Sequence, residues 1–116
     1  MEAKQAELVE SDHALDDEVW LTPTPGHTPG HVAVNISSQG HNAVMTGDVI
    51  ISPIQLAYPD WNSFSDNNKA LAAATRKILL DTHCDTDTLL LTAHFPLPSV
   101  GHLVSHSERP FDFVYL

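Results

Sequence analysis

The chain has 116 residues and a formal net charge of −10, from 5 basic and 15 acidic side chains, and it contains one cysteine. This length accommodates a single domain with a modest core. The scarcity of Lys and Arg argues against nucleic acid and anionic membranes as partners, because phosphate groups are bound by clustered cations. A single thiol excludes an internal disulfide.

The first 18 residues form an acidic segment that carries seven of the carboxylates against one lysine. We interpret it as a solvated segment. It lacks the basic and apolar stretches of a signal peptide, and no apolar run in the sequence approaches the length of a membrane span. A single thiol is typical of a reducing compartment. We therefore expect a cytoplasmic location.

Short apolar stretches separated by turn residues predict a series of strands. The candidate strands lie at 19–21, 32–37, 43–46, 88–92, 102–107 and 111–115. A turn at 39–42 joins the second and third strands into a hairpin. Residues 49–61 are predicted to form a loop, because Pro53 and Pro59 interrupt them.

One helix is predicted over residues 67–81, with Ser65 and Asp66 as its cap. The stripe expected to face the core is Leu71, Ala74, Ile78 and Leu79, and the residues expected to face outward are Lys69, Arg76 and Lys77. Cys84 is expected at a helix end or in a loop. Four histidines are expected at the surface: His13, His41, His83 and His106.

The segment TPTPGHTPGH at 22–31 presents His27 and His31 from a stretch that cannot be a regular helix. Its prolines and glycines break a helix, and each proline pushes the residue before it toward an extended conformation. A rigid loop that presents imidazoles suits metal binding better than core packing. Two further short motifs follow it. They are Thr46-Gly47-Asp48 and the segment TAHFP at 92–96, which contains His94.

His27, Asp48 and His94 each follow the carboxyl end of a predicted strand. In open α/β sheets, ligand sites gather outside these strand ends, so residues far apart in the chain can converge there. Neutral imidazole and carboxylate together suit zinc, manganese or iron. A carboxylate can also bridge two ions, as it does in two-metal hydrolases. The three residues are therefore candidate ligands of a divalent metal, with zinc the expected ion.

The order of these motifs resembles the second half of the metallo-β-lactamase fold, a large superfamily of metal-dependent hydrolases. Within it, the chain most resembles the lactonase and organophosphate-hydrolase-like branch, which the run Tyr58-Pro59-Asp60-Trp61 also fits. The resemblance implies an α/β fold: half of an αββα sandwich, with a mixed β-sheet and a helix packed on one face.

By the same resemblance, His27 would bind one metal ion, His94 the other, and Asp48 both. Two further histidines, His31 and His102, would orient the ligands or meet the substrate. Tyr58 and Trp61 could line a pocket, although loop packing explains them equally well.

The chain departs from the family because it lacks the His-x-His-x-Asp-His motif of the first half of the domain. We therefore expect residues 1–116 to be a single truncated domain, with one sheet face left open. Such a face favours a homodimer or pairing with a missing N-terminal half-domain.

Three functions are compatible with these expectations. The chain could be an inactive or weakly active remnant that binds a divalent metal, and this is the reading that the missing motif favours for the isolated chain. It could instead be a metal-dependent hydrolase of esters, lactones or phosphotriesters that works as a homodimer. It could also be one subunit of a split enzyme that needs an N-terminal partner chain.

Overall fold

Six strands form one mixed sheet in a computed structural model that describes residues 4–116. The strands are β1 (Val19–Pro23), β2 (Val32–Ser38), β3 (His41–Gly47), β4 (Leu89–Thr92), β5 (Val100–Ser105) and β6 (Phe111–Tyr115), and they lie side by side in chain order. Neighbouring strands are antiparallel except β3 and β4, which are parallel. The expected α/β class with a mixed sheet is confirmed.

The parallel β3–β4 pair requires a crossover connection, since a tight turn can join only antiparallel neighbours. Two helices, α1 (Ile54–Ala57) and α2 (Lys69–His83), occupy this crossover. Because β1 and β3 are both antiparallel to β2, the strands β1, β3 and β4 all run in the same direction. Their carboxyl ends therefore share one edge of the sheet, which we call the site edge.

The core lies between α2 and one face of the sheet. Leu79 and Leu80 of α2 belong to one buried cluster with Val44 of β3 and Leu90 of β4. Burial of a leucine or valine side chain stabilises the fold by about 1.5–3 kcal/mol. This packing fixes α2, and the loop before it, against the site edge.

The opposite face of the sheet is apolar but not covered. Its residues alternate along the strands with buried ones, as Val32 and Val34 do on either side of Ala33. A groove of about 390 Å³ crosses this open face and is lined by Val32, Val34, Met45, Leu91 and Val100, among others. Met45, which lines the groove, is 46% exposed. The open sheet face that we expected from the sequence is present in the structure.

The helix differs in three ways from its prediction. Its cap is Asn68, whose side chain accepts a hydrogen bond from the Leu71 amide at 3.1 Å, so Ser65 and Asp66 are not the cap. Its core stripe consists of Ala72, Arg76, Leu79 and Leu80 rather than the predicted set, of which only Leu79 is buried. Leu71 and Ile78 are exposed, and Arg76, predicted to face outward, is 0% exposed.

Two smaller expectations are also corrected. Residues 49–61 are not entirely loop, since they contain the single turn of α1. His83 is half-buried and lines a cavity of about 400 Å³ between α2 and the sheet, so it is less exposed than we expected. Cys84 is the C-terminal cap of α2, as expected for a helix-end thiol. Within residues 4–116, no helix is long and apolar enough to cross a membrane.

Candidate functional site

The three candidate ligands come together at the site edge. Asp48 follows β3 directly, His94 lies two residues beyond β4, and His27 lies in the loop after β1. His94 Nε2 is 2.8 Å from Asp48 Oδ1, and His27 Nε2 is 3.3 Å from Asp48 Oδ2. The carboxylate of Asp48 therefore lies between the two imidazoles, with one oxygen directed at each.

The loop that carries His27 is held by the start of α2. The Asn68 amide donates a hydrogen bond to the Gly26 carbonyl at 2.9 Å, and the Thr75 hydroxyl donates one to the Pro25 carbonyl at 2.6 Å. Gly26 has φ +137°, and a Cβ there would lie 2.4 Å from the Ala72 backbone. Glycine is therefore required for the loop to approach the helix this closely.

His31 contacts the backbone of Asp48, and both of its ring nitrogens form hydrogen bonds. Its Nε2 accepts a hydrogen bond from the Asp48 amide at 3.0 Å, so its Nδ1 carries the hydrogen and donates to the Thr24 hydroxyl at 2.7 Å. Burial lowers the pKa of His31, an effect that the nearby Asp48 carboxylate opposes. The neutral ring thereby positions the backbone of Asp48, and neither of its nitrogens is free to bind a metal ion.

Asp66 contacts the other ring nitrogen of His27, and the sequence did not predict this contact. Asp66 Oδ1 lies 2.9 Å from His27 Nδ1, and the Asp66 side chain is 0% exposed. A carboxylate oxygen can only accept, so Nδ1 of His27 carries a hydrogen, and Nε2 is the nitrogen that faces Asp48 Oδ2.

Arg76 is the second residue that the sequence did not reveal. Its guanidinium donates to the carbonyls of Val49, Pro59 and Trp61 at 2.7–2.9 Å, and Nη2 lies 3.5 Å from Asp66 Oδ2. Burial lowers the pKa of Arg76, and the Asp66 carboxylate opposes the effect. One buried side chain thus connects the residue after Asp48 with the carboxylate that orients His27.

The remaining candidates lie away from these contacts. Tyr58 and Trp61 stack on each other, with ring centroids 4.3 Å apart, and both are exposed. His102 lies in β5 opposite Val114, and its buried Nδ1 has no hydrogen-bond partner among the described residues. No hydrogen bond in the described part of the chain joins Tyr58, Trp61 or His102 to the Asp48 carboxylate.

Three solved structures of hydrolases are similar to this chain in fold. AidC, a dizinc quorum-quenching lactonase in complex with a product, is 28% identical over 95% of this chain, with a TM-score of 0.85. The hydrolase AbOPH of the β-lactamase superfamily is 24% identical over 87%, with a TM-score of 0.80. A probable metal-dependent hydrolase from Staphylococcus aureus is 17% identical over 98%, with a TM-score of 0.75.

This chain has part of the metallo-β-lactamase fold. It spans only 37%, 35% and 41% of the length of those three proteins, consistent with the C-terminal half. The resemblance inferred from the sequence motifs is confirmed at this level. No protein-family model matches the chain, and no curated protein does so.

The side chains that meet at the site edge are of types that bind divalent metals. Two imidazoles and a carboxylate are ligands that zinc accepts, and a metal-binding histidine usually donates its other nitrogen to a carboxylate, as His27 does to Asp66. Within residues 4–116, however, no group of three or more His, Cys, Asp or Glu is arranged to hold an ion.

His94 and Asp48 lie too close together for a metal ion to lie between their contacting atoms. Zinc bonds of about 2.0–2.2 Å at tetrahedral angles separate two ligand atoms by roughly 3.3–3.5 Å. The His27–Asp48 distance of 3.3 Å fits this spacing, whereas the His94–Asp48 distance of 2.8 Å is that of a direct hydrogen bond. If His94 and Asp48 are to bind the same metal ion, the hydrogen bond between them must first break. His94 is 50% exposed and has room to move.

Proposed function

We propose that this chain contributes one part of a metal-dependent hydrolase centre, in which His27, His94 and Asp48 would hold divalent metal ions. Zinc is the proposed ion. The position of the Asp48 carboxylate between the two Nε2 atoms carries the proposal. The contact of His27 Nδ1 with Asp66 supports it, because it leaves Nε2 as the ring nitrogen that faces Asp48.

The reaction class is hydrolysis of a cyclic or activated ester, with lactones as the first candidates and phosphotriesters as the alternative. The dizinc lactonase and the hydrolase among the compared structures support this class. Bound divalent ions would lower the pKa of a water molecule toward neutrality and so supply hydroxide. The chain's own residues hold the site: Asp66 orients His27, and His31 fixes the Asp48 backbone.

The remaining ligands would come from a second sheet packed on the open face. A sheet of six strands at about 4.8 Å spacing, with about five residues per strand, has a face of roughly 450 Å². Two such faces in contact approach the ~1,000 Å² total of a specific interface. None of the nine residues that line the groove is charged. We propose that a second copy of the chain covers this face when no N-terminal half-domain is present.

A second candidate function is a folded but inactive domain that binds metal weakly. It is favoured by the direct His94–Asp48 hydrogen bond, through which the candidate ligands satisfy one another without an ion. The chain on its own is then inactive or only weakly active. Hydrolysis appears when the other half of the site is supplied.

Zinc titration by calorimetry, with native mass spectrometry for stoichiometry, tests the metal site. We expect wild type to bind zinc, and His27→Ala, Asp48→Ala and His94→Ala each to lose most of the affinity. His41→Ala is the matched control, since His41 is an exposed histidine at the start of β3. Binding that is equal in all five proteins would refute the proposed site.

A hydrolysis assay distinguishes the two candidate functions. Hydrolysis of a γ-lactone and of a p-nitrophenyl ester is followed with zinc and with chelator. Zinc-dependent turnover that Asp48→Ala abolishes supports the hydrolase. Zinc binding without turnover supports the metal-binding domain that needs its other half.

A further inference from the structure

Asp66 makes two kinds of contact with its two oxygens. Oδ1 accepts a hydrogen bond from His27 Nδ1 at 2.9 Å. Oδ2 accepts one from the Ser63 amide at 2.9 Å and faces Arg76 Nη2 at 3.5 Å. The Oδ2 position is therefore surrounded by donors, and only the Oδ1 position faces a ring whose hydrogen can move between two nitrogens.

Arg76 fixes the position of this carboxylate. It is 0% exposed and lies on the core stripe of α2, so the rigid helix sets its location. Its other nitrogens hold the carbonyls of Val49, Pro59 and Trp61. A buried ion pair with this many hydrogen bonds is expensive to form, and core packing alone would be served as well by an apolar residue. A positioning role explains why charged groups stand here.

We infer that Asp66, held by Arg76, is a positioning residue that keeps a hydrogen on His27 Nδ1 and turns Nε2 toward Asp48. This sets the atom that a metal ion would meet and the angle at which the ring presents it. The tautomer is a property of the chain itself. Its consequence for metal affinity rests on the proposed function.

The variant Asp66→Asn gives a sharp test. The amide oxygen of asparagine will occupy the Oδ2 position, because the Ser63 amide and Arg76 both donate there. Its NH₂ group then faces His27 Nδ1 and must donate to it. His27 is forced into the Nε2–H form, the opposite of wild type, although the substitution changes side-chain size very little.

The measurement is the tautomer of His27 by long-range ¹H–¹⁵N NMR of the histidine rings in the metal-free protein, with the signal assigned by its loss in His27→Ala. We expect Nδ1–H in wild type and Nε2–H in Asp66→Asn. Asp60→Asn is the matched control. The charge of the exposed Asp60 acts on Arg76, but Asp60 makes no hydrogen bond to His27. It should leave the Nδ1–H form unchanged.

Zinc affinity provides the second readout. Loss of a group that orients a metal-binding histidine typically lowers affinity by about 10–100-fold, and we expect Asp66→Asn to fall in this range. An unchanged Nδ1–H tautomer in Asp66→Asn would overturn the inference. If the tautomer switches but wild type binds no zinc, the positioning role of Asp66 stands and the proposed metal function fails. If Asp66→Asn does not fold, Arg76→Lys is examined in the same way: it weakens the hold on Asp66, and a wholly unaltered His27 signal would overturn the inference.

Discussion

The Asp48 carboxylate and the His94 imidazole lie 2.8 Å apart, Oδ1 to Nε2, although 46 residues separate them in the chain. The contact exists because β3 and β4 are parallel neighbours, so their carboxyl ends meet at the same edge of the sheet. The whole α2 crossover lies between them in sequence. Its helix begins at this edge and carries the chain to the opposite edge, where β4 begins. The helix also supplies Arg76, which supports the site from within the core.

Loss of Arg76 should be among the most damaging single changes in the chain. Arg76→Met removes three hydrogen bonds to carbonyls and leaves the Asp66 carboxylate buried without its cation. Breaking a buried pair in this way costs about 3–5 kcal/mol of stability. Urea unfolding measures the loss.

Lys77→Met is the matched control for Arg76→Met. Lys77 is the next residue of α2 and forms only an exposed pair with Asp81, at 2.8 Å. Such a pair contributes about 0.3–0.5 kcal/mol. A loss of stability in Arg76→Met no larger than that of Lys77→Met would contradict the role assigned to Arg76.

Gly47 should not tolerate a side chain, whereas Gly30 should. Gly47 has φ +53°, and a Cβ there would lie 2.7 Å from His31 Nε2, the atom that accepts from the Asp48 amide. Gly47→Ala should therefore destabilise the fold by more than about 1 kcal/mol and displace His31. Gly30→Ala meets no atom within 4 Å and should be close to neutral. Thermal unfolding of both variants decides; equal melting temperatures would contradict the packing described here.

His83 should make stability depend on pH. Burial lowers its pKa in the folded protein below the ordinary value of 6.5. As pH falls below about 6.5, the unfolded chain binds a proton before the folded one does, so stability decreases until the folded-state pKa is passed. His31 contributes in the same direction.

His83→Gln should therefore flatten part of the pH dependence of unfolding free energy below pH 6.5, without removing all of it. The measurement is urea unfolding at a series of pH values. His41→Gln, at an exposed position, is the control and should leave the slope unchanged. Parallel slopes for wild type and His83→Gln would show that burial of His83 has no such effect.

The strands and the converging ligand-type residues were predictable because their signals are local. The last predicted strand, residues 111–115, coincides with β6, and each of His27, Asp48 and His94 follows a strand end as expected. Arg76 was not predictable, since helical periodicity fixes the spacing of a stripe but not which of two stripes faces the sheet. That choice depends on the close approach of Gly26 to Ala72, a contact between distant segments.

Asp66 was predicted to cap the helix, and this prediction was wrong for a related reason. An aspartate just before a helix usually caps it, and the sequence contains no sign that a histidine 39 residues earlier will lie against it. Asn68 caps α2 instead, which leaves Asp66 free to contact His27. The general lesson is that a capping residue can be replaced by a close neighbour when tertiary contacts compete for its side chain.

A charge placed on the open face should separate the proposed dimer. Met45 lies in the groove of that face and is 46% exposed. In a face-to-face pair, Met45→Lys would bury an unpaired ammonium against the partner's apolar residues, which is strongly unfavourable. By light scattering coupled to size-exclusion chromatography, we expect wild type to be a dimer and Met45→Lys to be a monomer. Ile78→Lys, at a 67% exposed position on α2, places the same charge on the other side of the sheet and should leave the dimer intact. A wild-type monomer, or a dimer that only Ile78→Lys disrupts, would show that the open face is not where two copies meet.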